Sequence, residues 1–250
     1  MSLVRAERKG DIAVLTLDRP RANAFSPELV ADLAQAFSSS ADAGAVVLTS
    51  SSDGMFSAGW DLKFLVTQAR ASFERFVEAY CDLVRQIFVF ERPVIAALPG
   101  HAIAGGLIVA TAADERIAVE GRGEFGLSEV LLGVPVPACL LEIFRHAVGA
   151  RGMERLAATG ENLSVERALA LGLIDRAVPA EALAEEAESR ARTLAGRSAK
   201  AHAAIKLRSR SAALARFDQA RRGDPFVDFW HSEDARTRVG ELVARLSKKT

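Results

Sequence analysis

From Val4 to Leu17, apolar and polar positions alternate on either side of Lys9-Gly10-Asp11, the pattern of two short strands joined in a hairpin. Arg19 to Ser26 has no period and reads as a loop. Ser26 followed by Pro27 has the form of a helix cap with proline at the first helical position, and the helix is predicted to run to about Ser40. The continuous apolar runs Ala45–Thr49 and Val94–Leu98 read as buried strands. Between them lie a loop rich in Ser and Gly, Ser50–Gly59, and a long amphipathic helix from about Ala71 to Phe90. That helix stops ahead of Arg92-Pro93, because a residue preceding proline is driven out of the helical region. Pro99–Ala104 reads as a turn, Gly105 opens an apolar helix to about Ala113, and short strands are predicted near Arg116–Val119 and Gly123–Leu127.

Strands that alternate with helices favour parallel strands joined by crossover helices. After Ser128 the pattern turns helical, at about 138 to 148, 150 to 158, 164 to 171, 180 to 195, 199 to 215 and 232 to 247, with Asp224-Pro225 breaking the last two apart. The reading is an α/β core over residues 1–195 carrying a helical C-terminal region over 196–250. No long linker, repeat or low-complexity segment interrupts it.

Composition narrows the function classes. Lys plus Arg equals Asp plus Glu at 32 each, without the basic excess of a nucleic-acid binder, and the balance favours self-association because there is little net charge to hold copies apart. Cys81 and Cys139 have neither the number nor the spacing of a disulfide framework or zinc site. His101, His146, His202 and His231 show no metal-ligand spacing, so no metal is expected. No targeting segment is read at the start and no apolar run reaches membrane-spanning length without a charge, so a cytoplasmic protein without a membrane partner is expected.

Two small-residue loops have chemical potential: Met55 to Leu62, after the first buried strand, and Gly100 to Gly106, after the second. Each leaves the C-terminal end of a strand and leads into a helix, where α/β proteins bind ligands. Small residues admit a substrate close to the backbone. Helix N-termini offer unpaired N–H groups, and two such amides aimed at one oxygen form an oxyanion hole, where one donor is worth roughly 3 kcal/mol. Close packing of turns is the alternative for either loop taken singly.

Together the loops resemble those of the crotonase, or enoyl-CoA hydratase/isomerase, family, and the similarity continues in order along nearly the whole chain. Arg19-Pro20-Arg21-Ala22-Asn23-Ala24 resembles the family's early loop lining the CoA pocket. Phe56-Ser57-Ala58-Gly59-Trp60-Asp61-Leu62 resembles its first oxyanion loop. Arg92 to Ala97 with Gly100 to Gly106 resembles the second. Phe125 to Gly133 resembles the segment bearing a catalytic carboxylate, and Thr159-Gly160, Ala168 to Asp175 and Ser232 to Arg236 resemble later family segments. The resemblance implies a core of ββα repeats with a helical C-terminal trimerisation region, and a homotrimer or hexamer. It implies an acyl-CoA substrate, no cofactor beyond the coenzyme A that the substrate carries, and oxyanion amides from Ala58 and Gly105. Substrate-binding positions are then Arg21, Ala22, Ala24, Ala58, Trp60, Asp61, Leu62, Gly105, Gly106, Ile108 and Ser128. For Trp60, contact with the adenine or pantetheine and simple core filling are both open.

Family hydratases have two glutamates. The later one matches Glu129, whereas the first aligns with Ile108, which can neither donate nor accept a hydrogen bond. One carboxylate facing an apolar wall resembles the family's Δ3,Δ2-enoyl-CoA isomerases. In that chemistry Glu129, its pKa raised by apolar surroundings, takes a proton from C2 of a 3-enoyl-CoA. The dienolate rests on the two amides, and Glu129 returns the proton at C4. The alternatives are hydration, decarboxylation or thioester hydrolysis with an unrecognised partner for Glu129, or an acyl-CoA-binding homologue without catalysis. Gly133 to Ala138 departs from the family's Gly-rich loop and should reshape the acyl wall.

Other signals are set aside. Gly121 to Gly126 fits G-x-G-x-x-G, but its second half reads as a strand where a dinucleotide site needs a helix. His101, beside the second loop, is read as structural, and Asp114 and Glu124 as solvated or structural. Lys200, Lys206, Arg208 and Arg210 are read as a solvated helix face in preference to a CoA phosphate site.

Overall fold

The expected hairpin forms, with β1 (Val4–Lys9) antiparallel to β2 (Ile12–Leu17) across a glycine at φ 64°. The computed structural model of the chain describes residues 2–20 and 22–248. Helix α1 (Pro27–Ser39) starts where expected, the Ser26 hydroxyl accepting from the Leu29 amide and Pro27 occupying the first turn. Three units then repeat one plan: a buried strand, a short strand peeling away from it, and a helical segment. The first is β3 (Ala45–Ser50), β4 (Gly54–Ser57), and α2 (Leu62–Leu65) with α3 (Arg70–Val89). The second is β5 (Val94–Leu98), β6 (Gly100–Ile103) and α4 (Gly105–Ala112). The third is β7 (Glu115–Val119), β8 (Phe125–Gly126) and a single 3-10 turn, Glu129–Leu132.

Helix α5 (Ala138–Thr159) follows, broken at Gly149, whose φ of 73° is not helical, so the two helices expected on either side of that glycine are present end to end. Strand β9 (Asn162–Leu163), helix α6 (Val165–Leu171), strand β10 (Arg176–Val178) and helices α7 (Leu183–Ala195), α8 (Ala199–Ala220), α9 (Phe226–Trp230) and α10 (Glu233–Lys248) complete the chain.

Two sheets result. Six strands in the order β1-β2-β3-β5-β7-β10 form the larger, parallel except for the hairpin. Four strands in the order β4-β6-β8-β9 form the smaller, parallel except at β9. Every repeat therefore contributes one strand to each sheet. The stretches 54–57 and 100–103, read from sequence as loop and turn, are two of the four strands of the small sheet. They were missed because four residues containing glycine show no clear period. The central strands of the large sheet are buried on both faces, which is why β5 is apolar throughout and β3 is apolar through Leu48. Helix α7 covers one face through Leu183, Ala187 and Ala191, and the main core lies on the other.

Helix α8 is anchored by buried charge. Lys206 and Arg210, expected on a solvated face, are 6% and 7% exposed. Asp114, just past the end of α4, accepts from Lys206 Nζ at 2.8 Å, from Arg210 Nη2 at 2.9 Å and from the Val94 amide at 2.7 Å. Arg210 also donates to the carbonyls of Phe88, Ala112 and Ala113 at the C-terminal ends of α3 and α4, where helix carbonyls lack partners. Burial lowers Lys206 to about 8. Asp114 is thus structural, and neither basic residue is at a phosphate site.

Candidate active site

A cavity of about 1210 Å³ opens where the small sheet ends. Its walls come from the loop ahead of α1, the turn between β4 and α2, the start of α4, and the 3-10 turn. An outer wall is contributed by Phe226 and Trp230 of α9 and by Arg238, Leu242 and Arg245 of α10.

The first turn is held by two buried polar side chains. Asn23, fully buried with φ 49°, accepts from the Arg19 amide at 2.8 Å and donates to Ser50 Oγ at 2.7 Å and to the Phe56 carbonyl at 3.1 Å. Ser57 Oγ donates to the Asn23 carbonyl at 2.8 Å and accepts from the Gly59 amide at 3.2 Å. The Ala58 amide donates to the Ala22 carbonyl at 3.0 Å, and the Asp61 amide donates to the Phe25 carbonyl at 2.9 Å. Only the Trp60 amide in this turn has no partner among the described residues. This corrects the expectation for Ala58: its amide is spent within the protein, and the free donor is two residues on. Phe25 and Trp60 face each other as a parallel bridge. In such a pairing the carbonyl of 59 and the amide of 61 point at Phe25, and the amide between them points away.

The second turn delivers one amide as well. Ala104 donates to the Gly126 carbonyl at 2.8 Å and accepts from the Ile108 amide at 3.0 Å. Its φ of 49° and ψ of −126° are rare for a residue with a side chain. The bend places Gly105 at the first helical position, where the amide lacks an intrahelical partner. A Cβ on Gly105 would sit 2.7 Å from Trp60 Cδ1, and one on Gly59 would sit 3.2 Å from the Gly105 nitrogen, so the two turns touch. Gly106, expected to bind substrate, lies off the cavity. A Cβ there would meet the Ser57 carbonyl oxygen at 2.4 Å, so it serves contact between the turns.

Glu129 opens the 3-10 turn and lines the cavity. Its Oε2 is sealed from solvent with no hydrogen-bond partner, and burial pushes the carboxyl up to about 7. Ile108, 1% exposed, lines the same space. Asp61 also reaches the cavity, but its carboxylate is taken by Arg19 at 2.5 Å and by the Phe64 amide at 3.1 Å. Glu241 stands exposed on α10.

The cavity gathers Ala22, Ala24, Ala58, Trp60, Asp61, Leu62, Gly105, Ile108, Ser128 and Glu129 of the residues expected there. Arg21 lies outside the described residues. The Trp60 indole packs edge-on against Phe76, Tyr80 and Phe226, with centroids 5.1, 5.2 and 5.7 Å away, so it builds an aromatic inner wall. Val134 and Pro137, in the segment that departs from the family's glycine-rich loop, form part of the wall as well. His101 and Glu124 do not line it; they lie 4.0 Å apart. The Gly121 to Gly126 stretch leads into β8 and opens no helix. The sequence reading missed Tyr80, whose signal as one aromatic among several on an amphipathic helix is only that of core. It also missed the α9 and α10 wall, since nothing local says which distant element a terminal helix will cover.

Fold and site together define an α/β protein of ββα repeats that presents two unpartnered backbone amides and one buried carboxyl to an apolar cavity. The chain belongs to the enoyl-CoA hydratase/isomerase family, the crotonases, whose members act on acyl-CoA substrates: the family's model matches residues 7–236. It is 34% identical over 203 residues to carnitinyl-CoA dehydratase of Salmonella typhi, covering 80% of this chain and 77% of that one. It is 36% identical over 194 residues to a putative enoyl-CoA hydratase of Thermus thermophilus, covering 75% and 76%. Human mitochondrial Δ3-Δ2-enoyl-CoA isomerase superposes with a TM-score of 0.94 at 27% identity, over 99% of each chain. An enoyl-CoA isomerase of Mycobacterium tuberculosis does so at 0.83 and 31%, over 89% of this chain and 97% of that one.

Proposed function

We propose that this crotonase is a Δ3,Δ2-enoyl-CoA isomerase in which Glu129 works alone. The observation that carries the reading is that Glu129 and Ile108 line one cavity: a single proton-carrying group near neutrality, in a wall where the second position holds a side chain that cannot bind water. The thioester oxygen of a 3-enoyl-CoA sits between the amides of Trp60 and Gly105. The Glu129 carboxylate takes a C2 proton, the electron pair moves into the carbonyl, and the two amides stabilise the dienolate oxygen. The same carboxyl returns the proton to C4, giving the conjugated 2-enoyl-CoA without net change in composition. The inner walls near Trp60 are aromatic and aliphatic, which suits a shuttle that must keep its proton. Lys63, Arg238 and Arg245 on the outer wall are the basic groups for the CoA phosphates. The reading includes the homotrimer or hexamer implied by the family resemblance, checked by sedimentation of the purified protein.

The superposition on the human isomerase supports this chemistry. Hydration is the second reading, favoured by the dehydratase and hydratase names of the sequence relatives. A paired assay separates them. Conversion of 3-hexenoyl-CoA to its 2-enoyl isomer with little hydration of crotonyl-CoA is the expected result. Fast hydration of crotonyl-CoA would overturn it and assign a second acid/base group to the site.

A further inference from the structure

We propose that Tyr80 is a positioning residue for the Gly105 amide, fixing the direction in which that amide meets the substrate oxygen. The inference rests on the oxyanion reading above and deepens it. Tyr80 is fully buried on α3, and its hydroxyl donates to the carbonyl of Gly105. Its ring is gripped edge-on by Phe25, with centroids 5.5 Å apart at 77°, and by Trp60, 5.2 Å apart at 76°.

Gly105 needs such a restraint. The Trp60 indole leaves no room for a Cβ there, so the position must be glycine, the residue with the softest backbone. That softness falls where the aim of an amide decides how well it meets a developing charge. On the N-terminal side the peptide is held through Ala104 and its bond to Gly126. On the C-terminal side a carbonyl has two lone pairs, and Tyr80 takes one from outside the helix. The same phenol ring touches the indole of Trp60, whose backbone carries the other free amide, so one side chain braces both turns. Burial holds the phenol well above its usual range, which keeps it a neutral donor.

Tyr80 is the only tyrosine in the chain, so replacing all tyrosine biosynthetically with 3-fluorotyrosine or 3,5-difluorotyrosine tunes the donor strength of this one hydroxyl and of no other. The test compares these proteins and Tyr80→Phe with the unaltered enzyme. It reads kcat and KM on 3-hexenoyl-CoA, affinity for hexanoyl-CoA, and the near-ultraviolet band of enolised acetoacetyl-CoA when bound. Tyr80→Phe should lower kcat about tenfold, less than outright removal of an oxyanion donor, and weaken the enolate band, with KM and hexanoyl-CoA affinity held within about twofold. The fluorinated series should change kcat in a graded way with donor strength, and it carries the test by itself if Tyr80→Phe does not fold. A folded Tyr80→Phe protein with unchanged kcat and enolate band overturns the proposal, as does a flat fluorotyrosine series. Absence of the enolate band in the unaltered protein overturns it too. No turnover of 3-hexenoyl-CoA, with an enolate band that Tyr80→Phe abolishes, sustains the role of Tyr80 and overturns the isomerase reading.

Discussion

Two carboxyl groups flank α4, and the protein treats them in opposite ways. Asp114, past the C-terminal end, is surrounded by Lys206, Arg210 and the Val94 amide, so its charge is met on every side. Glu129, on the cavity that the N-terminal end also lines, has a sealed oxygen without a partner among the described residues. A carboxylate met by charge-assisted hydrogen bonds holds elements together. One left alone in an apolar wall shifts toward neutrality and becomes able to give and take a proton near pH 7. The lesson is that burial by itself assigns neither role; the surrounding donors do.

The comparison is broken most forcefully at Glu129. Glu129→Gln keeps the shape and removes the base, and turnover of 3-hexenoyl-CoA should fall by about 10³-fold or more, within the usual range for a general base, while hexanoyl-CoA affinity is retained in calorimetry. Asp114→Asn is the converse. It leaves two buried cations short of their anion and should cost about 3–5 kcal/mol in urea unfolding, with specific activity of the folded protein close to unaltered. Activity lost in proportion to stability at Glu129, or without stability loss at Asp114, would erase the distinction.

Acidity sharpens the same contrast. In the proposed mechanism Glu129 reacts as the carboxylate, so kcat/KM should rise with pH through about 7 and level off above it. The stability effect has the opposite sign. A folded pKa above the unfolded 4.5 means the native state binds more protons between about 4.5 and 7, so stability falls as pH rises through that window. Glu129→Gln should therefore raise the melting temperature at pH 8 relative to the unaltered protein, and change it little at pH 4. Ile108→Glu would place a second carboxyl beside the first. Like charges resist joint ionisation, so the rising limb of the pH profile should move above 7 and isomerisation at pH 7 should drop.

The smallest effect is expected at Ala104. Its φ of 49° is strained for alanine, so Ala104→Gly should stabilise the fold by at most about 1 kcal/mol in urea unfolding, the relief being partly offset by the greater freedom of the unfolded chain.

Much of the molecule was written in local pattern. The cap at Ser26-Pro27, the apolar runs of β3 and β5, and the apolar helix from Gly105 are short-range features, and all three elements form as read. The segments bearing Glu129, Ile108 and Gly105 were likewise legible, because each resembles a family segment and all three residues line the cavity. Strands β4 and β6 of the small sheet were not legible, since they pair with each other across more than 40 residues. Nor was the fate of Lys206 and Arg210, whose helix looks polar until Asp114 meets it from below.

By itself, then, the sequence determined most of the order of strands and helices and the two glycine-bearing turns, because each depends on neighbours along the chain. Tertiary structure alone decided which amide in each turn is free, since an amide's direction follows from what its neighbours bond to. Ala22 lies 36 residues before Ala58 yet consumes its N–H, and Phe25 turns that of Trp60 outward. Tertiary packing also set the burial that brings Glu129 near neutrality, because desolvation comes from atoms gathered from the whole fold.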